Sequence, residues 1–206
     1  MSQGSPSPFR DFKTKLCTFA KGQHGIRNPF VIAAVAPAIE HRVTDRLETW
    51  STGRGKSPVV PDDITVQPIW LDELLPQTDV YKLLVDLGEP LAEIGGEKSS
   101  GERIAETMQD RLAEELVQGM IEHELGDAQL ETQSHVVLLL NLGSLYPFTR
   151  ALELLDELDR RNVKSTVGIP FPGDVVGGKL SFFGGESPHY YPAHQIDGQI
   201  QGVHLQ

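Results

Sequence analysis

The sequence predicts an α/β domain built on a mainly parallel, Rossmann-like or P-loop-like sheet flanked by helices, with a short C-terminal strand extension. Three observations carry this reading. Short apolar runs of strand length recur at residues 29–35, 64–69, 136–140 and 164–169. Between them lie stretches whose apolar residues repeat every three or four positions, the spacing of a helix with one buried face. Prolines and glycines mark the changeovers, so strands alternate with helices as in a layered α/β fold.

Residues 1–8 are rich in Ser, Pro and Gly and are expected to form a disordered tail ahead of a single α/β domain over 9–206. Phe9, Phe12, Leu16 and Phe19 then form the stripe of a short amphipathic helix ending near Gly22. A buried strand over 29–35 follows, and Pro37 opens a helix running to about Trp50, since proline is well tolerated in a first turn. After a loop over 52–63 comes the strand at 64–69, where the internal Pro68 points to a sheet edge. Residues 71–87 read as broken helix.

The longest helix signal begins after a loop at 95–101. Ser99 and Glu102 suggest a capping box, and Ile104, Met108, Leu112, Leu116 and Met120 recur every fourth residue. The strand at 136–140 feeds a helix over 147–161, and the strand at 164–169 ends at Pro170-Phe171-Pro172-Gly173. A fifth short strand is expected at 179–183, and Asp197-Gly198 marks the turn of a terminal hairpin within 189–203. Right-handed crossovers would bring Ala36-Pro37, Leu142-Gly143-Ser144 and Pro170-Phe171-Pro172 to one edge of the sheet.

Charge is distributed unevenly over the 206 residues. The total is -11, yet residues 1–60 carry nine basic and four acidic side chains, and residues 86–131 carry three basic and thirteen acidic. A free-standing nucleic-acid binder would present a basic face. Only the N-terminal quarter could do so here, which limits DNA contact to something weak or indirect. The acidic block reads as a solvated helix face or as a docking surface for a basic partner. One cysteine, Cys17, excludes an internal disulfide framework and fits a reducing cytoplasm. Neither a leader nor a membrane-spanning run is read in the chain, so a cytoplasmic location is expected.

Motifs that could carry chemistry are incomplete. Gly53-Arg54-Gly55-Lys56-Ser57 ends like a phosphate-binding loop, but Trp50 stands where the motif needs its first glycine. Pro58 also disfavours helix at Ser57. Ser144 follows a strand in the manner of a nucleophile elbow, yet Leu142 and Tyr146 occupy the two glycine positions. Its hydroxyl is read instead as a helix cap. His189, His194 and His204 with Asp174 and Asp197 match no compact zinc spacing. No cofactor, metal or catalytic constellation is assigned. Arg150 in the first turn of a helix faces an unfavourable dipole unless it meets an anion. With Tyr146 and Phe148 beside it, the composition is that of a protein–protein contact. Phe171, Tyr190 and Tyr191 complete the candidate interface.

The run Gly143-Ser144-Leu145-Tyr146-Pro147-Phe148-Thr149-Arg150 and then Pro172-Gly173, Gly177-Gly178-Lys179-Leu180, Phe183-Gly184 and Tyr190-Tyr191 follow one another in an order that resembles the BrxB family. That family is a small component of BREX bacteriophage-defence systems. The N-terminal half is similar more loosely, through its first strand, its Pro-initiated helix and Trp70-Leu71-Asp72-Glu73-Leu74-Leu75. Pro192 and His194 depart from the pattern, where a basic and an aromatic residue are expected, so an anion contact at the tail is not carried over. The resemblance implies a role in host defence and a partnership with PglZ, the large BREX component of the alkaline-phosphatase superfamily. The expected function is therefore a non-enzymatic adaptor. The alternatives are a nucleotide-binding P-loop relative with an eroded motif and a nucleic-acid-binding defence subunit.

Overall fold

Phe30–Val35 (β1) and His135–Leu140 (β3) are buried at every position, as strands covered on both faces must be. They flank the central strand of the sheet in the computed structural model, which describes residues 7–23, 28–54, 58–87, 98–126, 132, 134–146, 151–176, 179–182 and 193–205. The other strands are Thr65–Trp70 (β2), Thr166–Val176 (β4), Lys179–Phe182 (β5) and His194–Gln195 (β6). Among the described residues, β2-β3-β4-β1-β6 is the order across the sheet, with every pair in it parallel, and β5 folds back antiparallel on β4. The expected α/β architecture is thus present. Its order is not the 3-2-1-4-5-6 of dinucleotide-binding sheets.

The two-residue period of a strand divides the core in two. Phe30, Ile32 and Ala34 face one side with Val137, Leu139, Val167, Ile169 and Phe171. Val31, Ala33 and Val35 face the other with Val136, Leu138 and Leu140. On the second side lie Pro8–Ala20 (α1) and Glu40–Ser51 (α2). The first side is covered by Leu71–Leu74 (α3), Asp79–Leu87 (α4), Lys98–Gly119 (α5) and Ala151–Arg160 (α6). This division follows from handedness. The β1-to-β2 crossover moves one way along the sheet and the β2-to-β3 and β3-to-β4 crossovers move back, so right-handed connections put their helices on opposite faces.

Most elements lie where the sequence places them. Ser7 caps α1, its hydroxyl accepting the Arg10 N–H at 3.3 Å, and Pro8 occupies the first turn. Ser7 and Pro8 thus belong to the start of α1 and not to the expected tail, whose residues 1–6 lie outside the described ones. A 3₁₀ turn at Pro37–Ile39 leads into α2, and among the described residues β2 is an edge strand paired with β3, as Pro68 suggests. The broken helix resolves into α3, a 3₁₀ turn at Leu75–Gln77, and α4. The α5 stripe is buried at Leu112, Leu116 and Met120, and the helix ends in a π-helical turn at Met120–Leu125. Asn162 closes α6 in the left-handed region at φ 55°, while the Val163 N–H reaches back to the Leu158 carbonyl.

Of four further expectations, three need correction and one lies outside the described residues. The long helix is already under way at Lys98, so Ser99 lies inside it and does not cap it. Second, residues 147–150, where the helix after β3 is expected to begin, lie outside the described residues, and the described part of that helix runs from Ala151, behind a 3₁₀ turn at Leu142–Leu145. Third, β4 does not stop at Ile169 but runs through Pro170-Phe171-Pro172-Gly173 to Val176. The Val167 N–H bonds to the Pro29 carbonyl on the β1 side, so ladder alternation turns positions 170 and 172 the other way. On that other side the pairing with β3 has ended at Gly168, and the two missing N–H groups leave no partner unsatisfied. Fourth, among the described residues the C-terminal segment forms no hairpin: His194–Gln195 and then Ile200 pair parallel with β1.

Candidate functional site

In open parallel sheets, ligands bind beyond the carboxyl ends of the strands, where neighbouring connections diverge. On the β6 side of β1, away from β4, that edge is taken up by the chain itself: the Ile200 carbonyl accepts the Ala36 N–H at 3.0 Å, and the Ile200 N–H donates to the Ala34 carbonyl at 2.7 Å. Beside it, the Gln199 side-chain amide donates to the Gly173 carbonyl at 2.9 Å and to Asp174 Oδ1 at 2.5 Å.

The next crevice along the edge, between the loops that follow β1 and β3, is also closed from within. Asn141 ends β3 in the left-handed region at φ 57°, a conformation its short polar side chain tolerates. That side chain ties its own loop to the starts of α2 and α3. Its Oδ1 accepts from the Thr44 hydroxyl at 3.3 Å, and its Nδ2 donates to Asp72 Oδ2 at 3.0 Å. Glu40, the first residue of α2, reaches across to accept the Gly143 N–H on Oε1 at 2.9 Å. Position 143 must be glycine for this, because a β-carbon would collide with Glu40 Oε2. Burial pushes the Glu40 carboxyl up from the usual carboxylate range, the Gly143 N–H pulls it down, and the Asp72 charge adds to the rise.

The rest of the loop is held by its own backbone. The Ser144 hydroxyl donates to the Asn141 carbonyl at 2.7 Å, so it is engaged in the turn, and residues 147–150, which the cap expected of it would serve, lie outside the described residues. The Tyr146 N–H closes on the Gly143 carbonyl at 3.2 Å. Tyr146 itself is 55% exposed, among the most exposed large apolar side chains of the described residues.

The other candidate residues separate. Phe171 is fully buried in the core beside Ile169 and Phe30, so its assignment to the interface is withdrawn. Its position on β4 turns it inward with Val167 and Ile169, four and two residues before it. Phe148, Arg150, Tyr190 and Tyr191 lie outside the described residues. His194 stacks edge-on against Phe19 with ring centroids 5.6 Å apart, and burial, then Lys15, holds its pKa down. His204 Nδ1 accepts the Gln201 N–H. In the last turn of α2, Trp50 is fully buried and its indole N–H donates to the Pro58 carbonyl in the loop beyond at 2.8 Å, while Gly55, Lys56 and Ser57 lie outside the described residues.

The acidic helix α5 borders a cleft of about 170 Å³ against the start of α4, reached by Asp79, Glu115 and Glu122. Glu115 already has structural work in it. One oxygen accepts the Val80 N–H at the start of α4, and the other takes Arg111 at 3.0 Å. Sequence reasoning missed Glu40, Thr44 and Asp72. Only Gly143, within a Gly/Ser loop at a strand end, signalled that something approaches the backbone closely there.

Fold and edge together define a parallel-sheet α/β protein whose ligand edge is occupied by its own side chains and presents a tyrosine. The family described as BREX protein BrxB matches residues 78–196, more than half of the chain, and the chain belongs to that family. It is therefore a BREX phage-defence component. Neither the comparison with curated proteins nor that with solved structures returned a match. Among the described residues no helix is long and apolar enough to cross a membrane.

Proposed function

We propose that this protein is a non-enzymatic adaptor of its BREX system, and that it binds a larger PglZ-like partner through the loop following β3. The observation that carries this reading is the exposed Tyr146 on a loop whose polar groups are bonded back to the protein. Such a loop is rigid, and a rigid aromatic is the usual anchor of a protein contact. A nucleotide fits the same edge poorly. Its phosphates would face the carboxylates of Glu40 and Asp72, where a phosphate site needs free backbone N–H groups or cations. With 18 basic against 29 acidic side chains, the chain is also poorly suited to nucleic acid.

Co-expression with the PglZ-like protein of the same defence system, followed by size-exclusion chromatography, tests the pairing. Co-elution at micromolar concentration supports it. Separate elution, or thermal stabilisation by millimolar ATP with magnesium in place of a complex, sinks it in favour of a nucleotide-binding protein.

A further inference from the structure

We infer that Glu40 is a positioning residue for the β3 loop: by holding the Gly143 N–H across the sheet edge, it sets the shape in which Tyr146 is presented. The inference rests on reading that loop as the contact surface, and it adds what controls the loop. Three features of the geometry support it. The loop after β3 follows a buried strand, and its short turn is closed by bonds within residues 141–146 and seated on the core by Leu142 and Leu145. The Glu40 bond at 2.9 Å comes from outside the loop and reaches its middle residue. Tyr146 is then fixed relative to that residue by its N–H on the Gly143 carbonyl. Glu40, Thr44, Asp72, Asn141 and Gly143 thereby join the segments following β1, β2 and β3 into one bonded unit.

Gly143 completes the argument from the other side. A β-carbon there collides with the far end of the Glu40 side chain and not with the main chain, so Gly143→Ala should expel the carboxylate and break the same contact. Two substitutions that break one contact are not additive.

The first measurement needs no partner. Amide hydrogen exchange in the intact protein should show Gly143 exchanging about tenfold faster or more in Glu40→Ala, while Glu40→Gln, which keeps an acceptor oxygen, stays near wild type. Unchanged exchange in Glu40→Ala overturns the inference whatever the loop binds. The second measurement is a double-mutant cycle on affinity for the PglZ-like partner. Glu40→Ala, Gly143→Ala and the double variant should each weaken binding by a similar factor, about tenfold, with Glu40→Gln restoring it. If Tyr146→Ala weakens binding but the two loop variants do not, positioning by Glu40 is overturned and the contact surface stands. If the exchange result holds but Tyr146→Ala leaves binding unchanged, it is the contact surface that falls, and presentation of Tyr146 by Glu40 falls with it.

Discussion

Gly168 lies directly beneath Leu16: a β-carbon at 168 would stand 2.8 Å from Leu16 Cδ2 and 3.0 Å from Leu138 Cδ2. Helix α1 thus rests on β4 through a gap the width of a missing methyl group. All three residues are in the core, and Leu16 and Leu138 are fully buried, so neither can swing aside into solvent. Gly168→Ala should cost about 1–3 kcal/mol through overpacking. Combining it with Leu16→Val should recover part of that loss, which denaturant midpoints of the three variants would reveal. Simple additivity would mean that α1 does not depend on this contact.

Lys13 is the charged group most at odds with its surroundings. It is 3% exposed on α1, with its ammonium 4.7 Å from the Phe9 ring centroid. Burial first, then the nearby Arg10, lowers its pKa to about 8. A lysine lowered in this way binds fewer protons folded than unfolded at alkaline pH. Its contribution is therefore fully present above the unfolded value of 10.5 and is lost as pH falls through about 8. Lys13→Met should stabilise the protein at pH 7 by roughly 1–3 kcal/mol. The gap between variant and wild type should narrow from pH 8 to pH 10. A constant gap across that range would show that the ammonium is solvated in the folded state.

Glu157 ties α6 to α5. Its carboxylate is nearly buried and takes Arg160 at 2.8 Å and Arg161 at 2.7 Å, and Arg161 then donates to Gln118 Oε1 on α5 at 2.8 Å. The two arginines are not equivalent, since the Arg160 side chain is 72% exposed and that of Arg161 28%. Arg160→Ala should change stability by less than about 0.5 kcal/mol, in keeping with an exposed ion pair. Arg161→Ala should cost about 1–2 kcal/mol, because it also removes the link to α5. Thermal melts of the two variants decide this, and equal losses would contradict the ranking.

How far the sequence carries can be judged from these same elements. β1 and β3 were legible because strands buried on both faces are continuous apolar runs, and α1 because its phenylalanines repeat at helical spacing. Pro170 and Pro172 concealed the second half of β4. Proline argues against a strand unless the ladder partner on its side is absent, and that depends on where β3 stops. The parallel pairing of residues 194–195 and 200 with β1 was hidden for a similar reason, since Asp197-Gly198 is a turn signal whichever neighbour the flanking residues find. The edge network was the least accessible. Glu40 and Gly143 are 103 positions apart, and a glutamate at the start of a helix is what the dipole alone would favour.

Tyr146 and Phe171, two aromatics the sequence places in one contact surface, should respond to truncation in opposite ways. Tyr146 is 55% exposed, so Tyr146→Ala removes little buried area and should leave stability within about 0.5 kcal/mol of wild type. Its effect should fall on the complex: a rigid aromatic at the centre of a contact is commonly worth 2 kcal/mol or more, or roughly thirtyfold in affinity for the PglZ-like partner. Phe171 is fully buried on the α3–α6 side of the sheet, so Phe171→Ala should lower stability by about 3–5 kcal/mol. Leu142 and Leu145 of the loop after β3 share the core cluster with Phe171, so whatever Phe171→Ala remains folded should bind somewhat more weakly, but by less than Tyr146→Ala does. Melting curves and titration calorimetry on the two variants separate these outcomes. A Tyr146→Ala variant that binds normally would remove the loop from the interface, and one that melts early would make Tyr146 a packing residue.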